Sequence, residues 1–169
     1  MARTLSLQLL GFALGFCIFA NVCVAQYPSP GKIYAIQTTM DGGTIKPQGT
    51  GQLCNRLGSI GFSYFPPNPY TTEYKWRVAS ANNATGTITI HSLLDEASPT
   101  MNQLTLDDDP PYCNPVEREI TLTQHPSGPF IIQDVRSGKC LYSYGSEVGI
   151  VIWRDDPYTQ YWLFHEVEE

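Results

Sequence analysis

From Lys32 onward, apolar and polar positions trade places over short runs that Gly, Pro, Ser and Asp interrupt every few residues. No window of about a dozen residues carries an i, i+3, i+4 apolar stripe, so no helix is predicted in this region. Strands are predicted where β-branched and aromatic residues concentrate: Lys32 to Thr38, Lys75 to Ala79, Gly86 to Ser92, Gln103 to Leu106, Glu119 to Thr123, Phe130 to Asp134, Lys139 to Tyr144, Ile150 to Arg154 and Tyr161 to Glu166. Many short strands joined by turn chemistry predict an all-β sandwich or barrel.

An internal repeat separates those two options. Tyr34-Ala35-Ile36-Gln37 has counterparts in Ile88-Thr89-Ile90-His91 and Phe130-Ile131-Ile132-Gln133, spaced by about fifty and then about forty residues. The units also end alike. Thr71 to Val78, Val116 to Leu122 and Thr159 to Phe164 each place an apolar anchor, Trp76, Ile120 or Trp162, ahead of an alternating strand. Units of about forty residues that cannot bury an apolar face alone predict a threefold β barrel capped by hairpins.

Residues 1–25 stand apart in composition. Arg3 is their only charge, followed by the apolar run Leu9 to Ala20 and then Cys23-Val24-Ala25 before Gln26. That is the pattern of a secretory signal peptide, too short and without the basic flank of a membrane anchor. The expectation is a secreted, extracellular protein, residues 26–169, with no membrane insertion. About 144 residues suit one domain with its own core. The formal net charge of the whole chain is -6, and a nucleic-acid partner is not expected where no basic field exists.

Cys17 and Cys23 belong to the leader, which leaves Cys54, Cys113 and Cys140. An odd number in an oxidising compartment implies one disulfide and one further thiol, and the sequence leaves all three pairings open. Cys113 with Cys140 is the preferred pair, because a lone buried Cys54 would behave as a small apolar residue.

Ser137-Gly138-Lys139-Cys140-Leu141, the strand Ile150-Val151-Ile152-Trp153 and the closing Gln160-Tyr161-Trp162-Leu163-Phe164 together resemble one repeat of the ricin-type (R-type) β-trefoil. The first unit is similar at its ends, through Pro30 to Tyr34 and Tyr74-Lys75-Trp76, and the middle unit in strand spacing. The resemblance implies a β-trefoil fold and a carbohydrate site in which a sugar lies on an aromatic ring while a carboxylate takes its hydroxyls. It places the ring at Trp153 and the carboxylate two residues after Cys140. That second position is Tyr142 here, so Asp155 and Asp156 stand as substitute acceptors and Tyr144 as a second ring. Such ingredients suit a sugar, whose C–H face stacks on aromatics while its hydroxyls need fixed acceptors. The competing reading makes Trp153 and Trp162 core anchors. The family's in-repeat disulfide is also interrupted, since Arg154 and Asp155 stand where the second cysteine would fall.

Other features lie outside that frame. The stretch Gly58 to Thr72 holds Phe62, Tyr64, Phe65 and Tyr70 around Pro66, Pro67 and Pro69, a loop stiffened by fixed φ values. A stiff protruding loop on a trefoil resembles the device of Kunitz-type and mushroom trefoil inhibitors, and that resemblance implies protease binding through Phe65, Pro66, Pro67 and Tyr70, where rigidity lowers the ordering cost of binding. Alternatively its rings fold back onto the barrel. Asp107-Asp108-Asp109 lacks the alternating ligand spacing of a calcium loop and reads as a solvated acidic turn. Asn83-Ala84-Thr85 is a glycosylation sequon on a polar turn. His91, His125 and His165 lie in different units without metal-ligand spacing, and no Ser lies in a G-x-S-x-G elbow. The expectation is a binding protein, without metal, cofactor or catalysis, whose partner is a glycan or glycoprotein, or alternatively a protease.

Overall fold

The computed structural model describes residues 27–40, 42–47, 60–63, 67–82, 84–94, 103–106, 112–114, 118–144, 150–154 and 161–169. The segment 1–25 lies outside them. Among the described residues twelve strands form one sheet: β1 (Ile33–Thr38), β2 (Thr44–Pro47), β3 (Ile60–Ser63), β4 (Trp76–Asn82), β5 (Thr87–Ser92), β6 (Gln103–Thr105), β7 (Tyr112–Asn114), β8 (Ile120–Gln124), β9 (Phe130–Asp134), β10 (Cys140–Tyr144), β11 (Ile150–Arg154) and β12 (Trp162–Glu166). A short 3-10 turn, Thr72–Tyr74, leads into β4. The stretch Gly58 to Thr72, read from sequence as a loop, therefore begins with a strand, β3. Its Gly and Ser gave no strand signal, and pairing with β2 supplies what propensity does not.

The pairings resolve into three units of four strands. Within a unit the first strand pairs the fourth: β1 with β4, β5 with β8 and β9 with β12. Between units the fourth pairs the next first strand: β4 with β5, β8 with β9 and β12 with β1. These six pairings close a barrel without an exposed edge. The second and third strands of each unit, β2–β3, β6–β7 and β10–β11, form hairpins that join it through β1, β5 and β9. One contact, β11 with β3 at Ile150 opposite Gly61, departs from the threefold pattern.

Register shows why the repeat exists. Trp76 stands between Tyr34 and Ser92, Ile120 between Ile88 and Asp134, and Trp162 between Phe130 and Thr38. Trp76, Ile120 and Trp162 are all completely buried, as are Ile36, Ile90 and Ile132 two residues along the facing strands. The matching hairpin positions Ile45, Leu104 and Leu141 complete the core. The Trp76 indole Nε1 donates to the Ile45 carbonyl, and the Trp162 Nε1 to the Leu141 carbonyl, both at 3.1 Å. Each tryptophan thus ties barrel to cap, and satisfies its one donor in the interior. Ile120 has no such donor, and in that unit the Gln103 amide instead reaches the Arg118 carbonyl.

The first turns of units one and three are also alike. Gln37 and Gln133 donate Nε2 to the carbonyls of Gly42 and Gly138, at 2.7 and 2.6 Å. Both glycines hold positive φ, +77° and +73°, a region that L side chains rarely adopt.

Candidate functional site

The third hairpin is positioned by its turn and its buried row. Asp134 ends β9 and accepts from the Ser137 backbone N–H and hydroxyl, which folds the chain back to Gly138. Cys140, Leu141 and Ser143 are then buried, whereas Tyr142 is half-buried. Across the hairpin Cys140 stands opposite Arg154, Leu141 opposite Trp153, Tyr142 opposite Ile152 and Tyr144 opposite Ile150. Tyr142, Tyr144 and Trp153 so fall on one two-stranded unit, but the register divides them: the positions of Tyr142 and Tyr144 share one face, and that of Trp153 shares the other with the buried Leu141. The side chains of Tyr144 and Trp153, and both Asp155 and Asp156, lie outside the described residues.

The threefold frame extends the Tyr142 departure to the whole protein. The positions equivalent to Tyr142, one residue past the buried Ile45 and Leu104, are Lys46 and Thr105. None of the three is a carboxylate. Lys46 instead reaches the Glu73 carboxylate at 3.4 Å and lies 5.2 Å from the centre of the Tyr74 ring, while Thr105 is wholly buried.

Of the proline-rich loop, Phe65 and Pro66 lie outside the described residues. Pro67, Asn68 and Pro69 are exposed. Tyr70 is half-buried and its ring lies 6.3 Å from that of Tyr74, centre to centre. Asn83 is likewise outside the description, between Asn82 and the exposed Ala84 and Thr85. Cys113 belongs to β7 opposite Leu104, and Cys140 to β10 opposite Gln133; the Cys113 sulfur, and so the proposed pairing, is outside the described residues.

A second constellation, which strand reading missed, surrounds residues 166–169. On one side of this segment is a cleft of about 620 Å³ lined by Tyr70, Asn68, Lys75, His165 and Glu168. On the other is a cleft of about 540 Å³ lined by Lys32, Arg77, Glu166 and Glu169. Lys32 Nζ lies 2.8 Å from Glu166 Oε1, and this hydrogen bond raises the lysine pKa. Arg77 lies 2.9 Å from Glu169 Oε1, and Lys75 Nζ donates to the Glu168 carbonyl at 2.6 Å. His165 pairs Nε2 with Gln37 Oε1 at 2.9 Å, and partial burial lowers its pKa, although much of the ring meets solvent.

The other histidines serve local structure. His91 Nε2 bonds the Thr89 hydroxyl, and His125 bonds Ser127 while its ring lies 4.7 Å from that of Tyr161. Among the described residues no three His, Cys, Asp or Glu side chains gather as a metal site. None of the described helices is long and apolar enough to cross a membrane.

A closed barrel of three four-stranded units with three capping hairpins is a β-trefoil, and similar solved structures include ricin B-like lectins. The Rhizoctonia solani agglutinin superposes with a TM-score of 0.65 at 14% identity, over 85% of this chain and 100% of that one. The Macrolepiota procera ricin B-like lectin, solved in complex with lactose, gives 0.60 at 16% identity, over 82% and 98%. An endo-β-galactosidase from Clostridium perfringens gives 0.62 at 12% identity, over 86% of this chain but 35% of its own. At such identities the likeness is one of fold. No protein-family model and no curated protein sequence matches the chain.

Proposed function

We propose that this protein is a secreted, glycosylated lectin-like β-trefoil that binds carbohydrate without transforming it. The observation that carries the reading is the third unit: the stretch that resembles the ricin-type repeat, Ser137 to Phe164, contains the β10–β11 hairpin, with Tyr142 and Tyr144 on one strand and Trp153 on the other. The site is that hairpin and the residues that follow it, with Trp153 as stacking platform and Asp155 and Asp156 as hydroxyl acceptors. Aromatic stacking with fixed carboxylate acceptors supplies affinity for a sugar and needs no general acid or base.

Secretion rests on the leader pattern of residues 1–25. The absence of catalysis rests on the three histidines, which lie on β5, in the turn after β8 and on β12 and are held by Thr89, Ser127 and Gln37. The test is a glycan array probed with the secreted protein and with Trp153→Ala. Binding that is lost in the variant supports the proposal; binding that survives in Trp153→Ala rejects this site, and a blank array rejects the function.

A further inference from the structure

Lys32, Lys75 and Arg77 are an unusual feature of an acidic chain with ten Lys and Arg against sixteen Asp and Glu. Strand geometry brings them together. Trp76 is completely buried, so its neighbours Lys75 and Arg77 share the opposite, outer face, about 6.6 Å apart along the chain. Lys32, just before β1, which pairs with β4, lines the same cleft as Arg77.

All three cations are engaged by oxygens of one short segment. Glu166 takes Lys32, the Glu168 carbonyl takes Lys75, and Glu169 takes Arg77. The segment has one backbone anchor beyond β12, from the Val167 N–H to the Ile33 carbonyl. Its ion pairs are open to water, with side-chain exposures of 57% and 53% for Lys32–Glu166 and 36% and 76% for Arg77–Glu169. Exposed pairs of this kind hold weakly and are screened by salt. Clefts of about 540 and 620 Å³ flank the segment and give a ligand room to displace it.

We propose that Lys32, Lys75 and Arg77 form a site for a short acidic saccharide, sulfated or carboxylated, which residues 166–169 fill as an internal stand-in for the ligand. Oxygens of the segment occupy the positions that sulfate or carboxylate oxygens would take, on a lysine, a second lysine and an arginine fork. Tyr70, at the edge of the larger cleft, offers a ring for the sugar face. The saccharide class rests on the lectin reading above; the anion site itself is separate from the β10–β11 hairpin. Three cations on an acidic protein suit a ligand of a few charges and not a long polyanion, whose remaining charges would be repelled.

The experiment measures binding of a heparin-derived tetrasaccharide, with its desulfated counterpart and a short single-stranded DNA as comparators. Glu166→Gln/Glu169→Gln removes the masking charges with little change of shape, and a variant shortened after Glu166 removes the Lys75 contact as well. Both are expected to bind the sulfated tetrasaccharide about tenfold or more tighter than the native chain, because unmasking raises the competent fraction. Adding Lys75→Ala and Arg77→Ala should abolish the gain. Unmasked variants that bind no tighter than the native chain overturn the proposal, as does equal binding of the desulfated sugar or of the DNA. A blank array of neutral glycans alongside a retained gain for the sulfated sugar rejects the hairpin site alone.

Discussion

Replacing Trp162 by Phe tests the link between barrel and cap. Trp162 is wholly buried, faces Phe130 across β9, and donates its indole N–H to the Leu141 carbonyl at 3.1 Å. Phe keeps one ring and removes the donor. The lost hydrogen bond costs about 1 kcal/mol net. The space left by the missing ring adds about 1–2 kcal/mol, since a closed barrel collapses only partly around a void. The expected loss is about 2–3 kcal/mol, or about 4–12 °C in Tm for a domain of this size. Trp76→Phe should lose a similar amount, because Trp76 is equally buried and makes the same bond to Ile45. Ile120→Val, at the third equivalent position, should cost about 1 kcal/mol. Urea denaturation followed by circular dichroism gives all three values. A Trp162→Phe loss below about 0.5 kcal/mol, smaller than the bond alone should contribute, would refute the reasoning.

Three further predictions concern turns and titration. Gly138→Ala should cost about 1–2 kcal/mol from backbone strain alone, because φ is +73° and no atom lies within 4 Å of the added Cβ; urea denaturation checks it, and a neutral result contradicts it. Asp134→Ala should cost about 1–2 kcal/mol by removing the acceptor of the Ser137 N–H and hydroxyl, whereas Asp134→Asn keeps the Oδ1 acceptor and should cost less. His165 should titrate below 6.5 by NMR, as burial lowers its pKa. A histidine pKa depressed by folding means that the unfolded chain takes up its proton first. Its contribution to stability is therefore present above pH 6.5 and is lost as pH falls below that value, and His165→Gln should flatten this part of the profile.

Much of the barrel was legible in the sequence because its strands carry their own pattern. Tyr34 to Gln37, Ile88 to His91 and Phe130 to Gln133 occupy equivalent positions in β1, β5 and β9, and Trp76, Ile120 and Trp162 each open the fourth strand of a unit. The strands that escaped, β2, β3 and β7, are three or four residues long and contain Pro47, Gly61 and Asn114. A period of two cannot declare itself over so few residues, and their partners in the hairpin determine them.

The site was legible to a lesser degree. Sequence spacing places Trp153 and Tyr142 on one hairpin, since both follow a strand signal. It could not reveal that Lys46, Thr105 and Tyr142 share one structural position, which requires the register. Nor could it gather Lys32, Lys75 and Arg77 around Glu166 and Glu169. These residues are distant along the chain and become neighbours only when β12 closes the barrel on β1.

The measurement that tests the central claim most directly is an NMR titration of the isotope-labelled protein with the neutral glycan bound best on an array. The account predicts saturable amide shifts concentrated in residues 140–144 and 150–156, and their loss in Trp153→Ala. Shifts that centre on another unit of the trefoil, or that persist in Trp153→Ala, would contradict it.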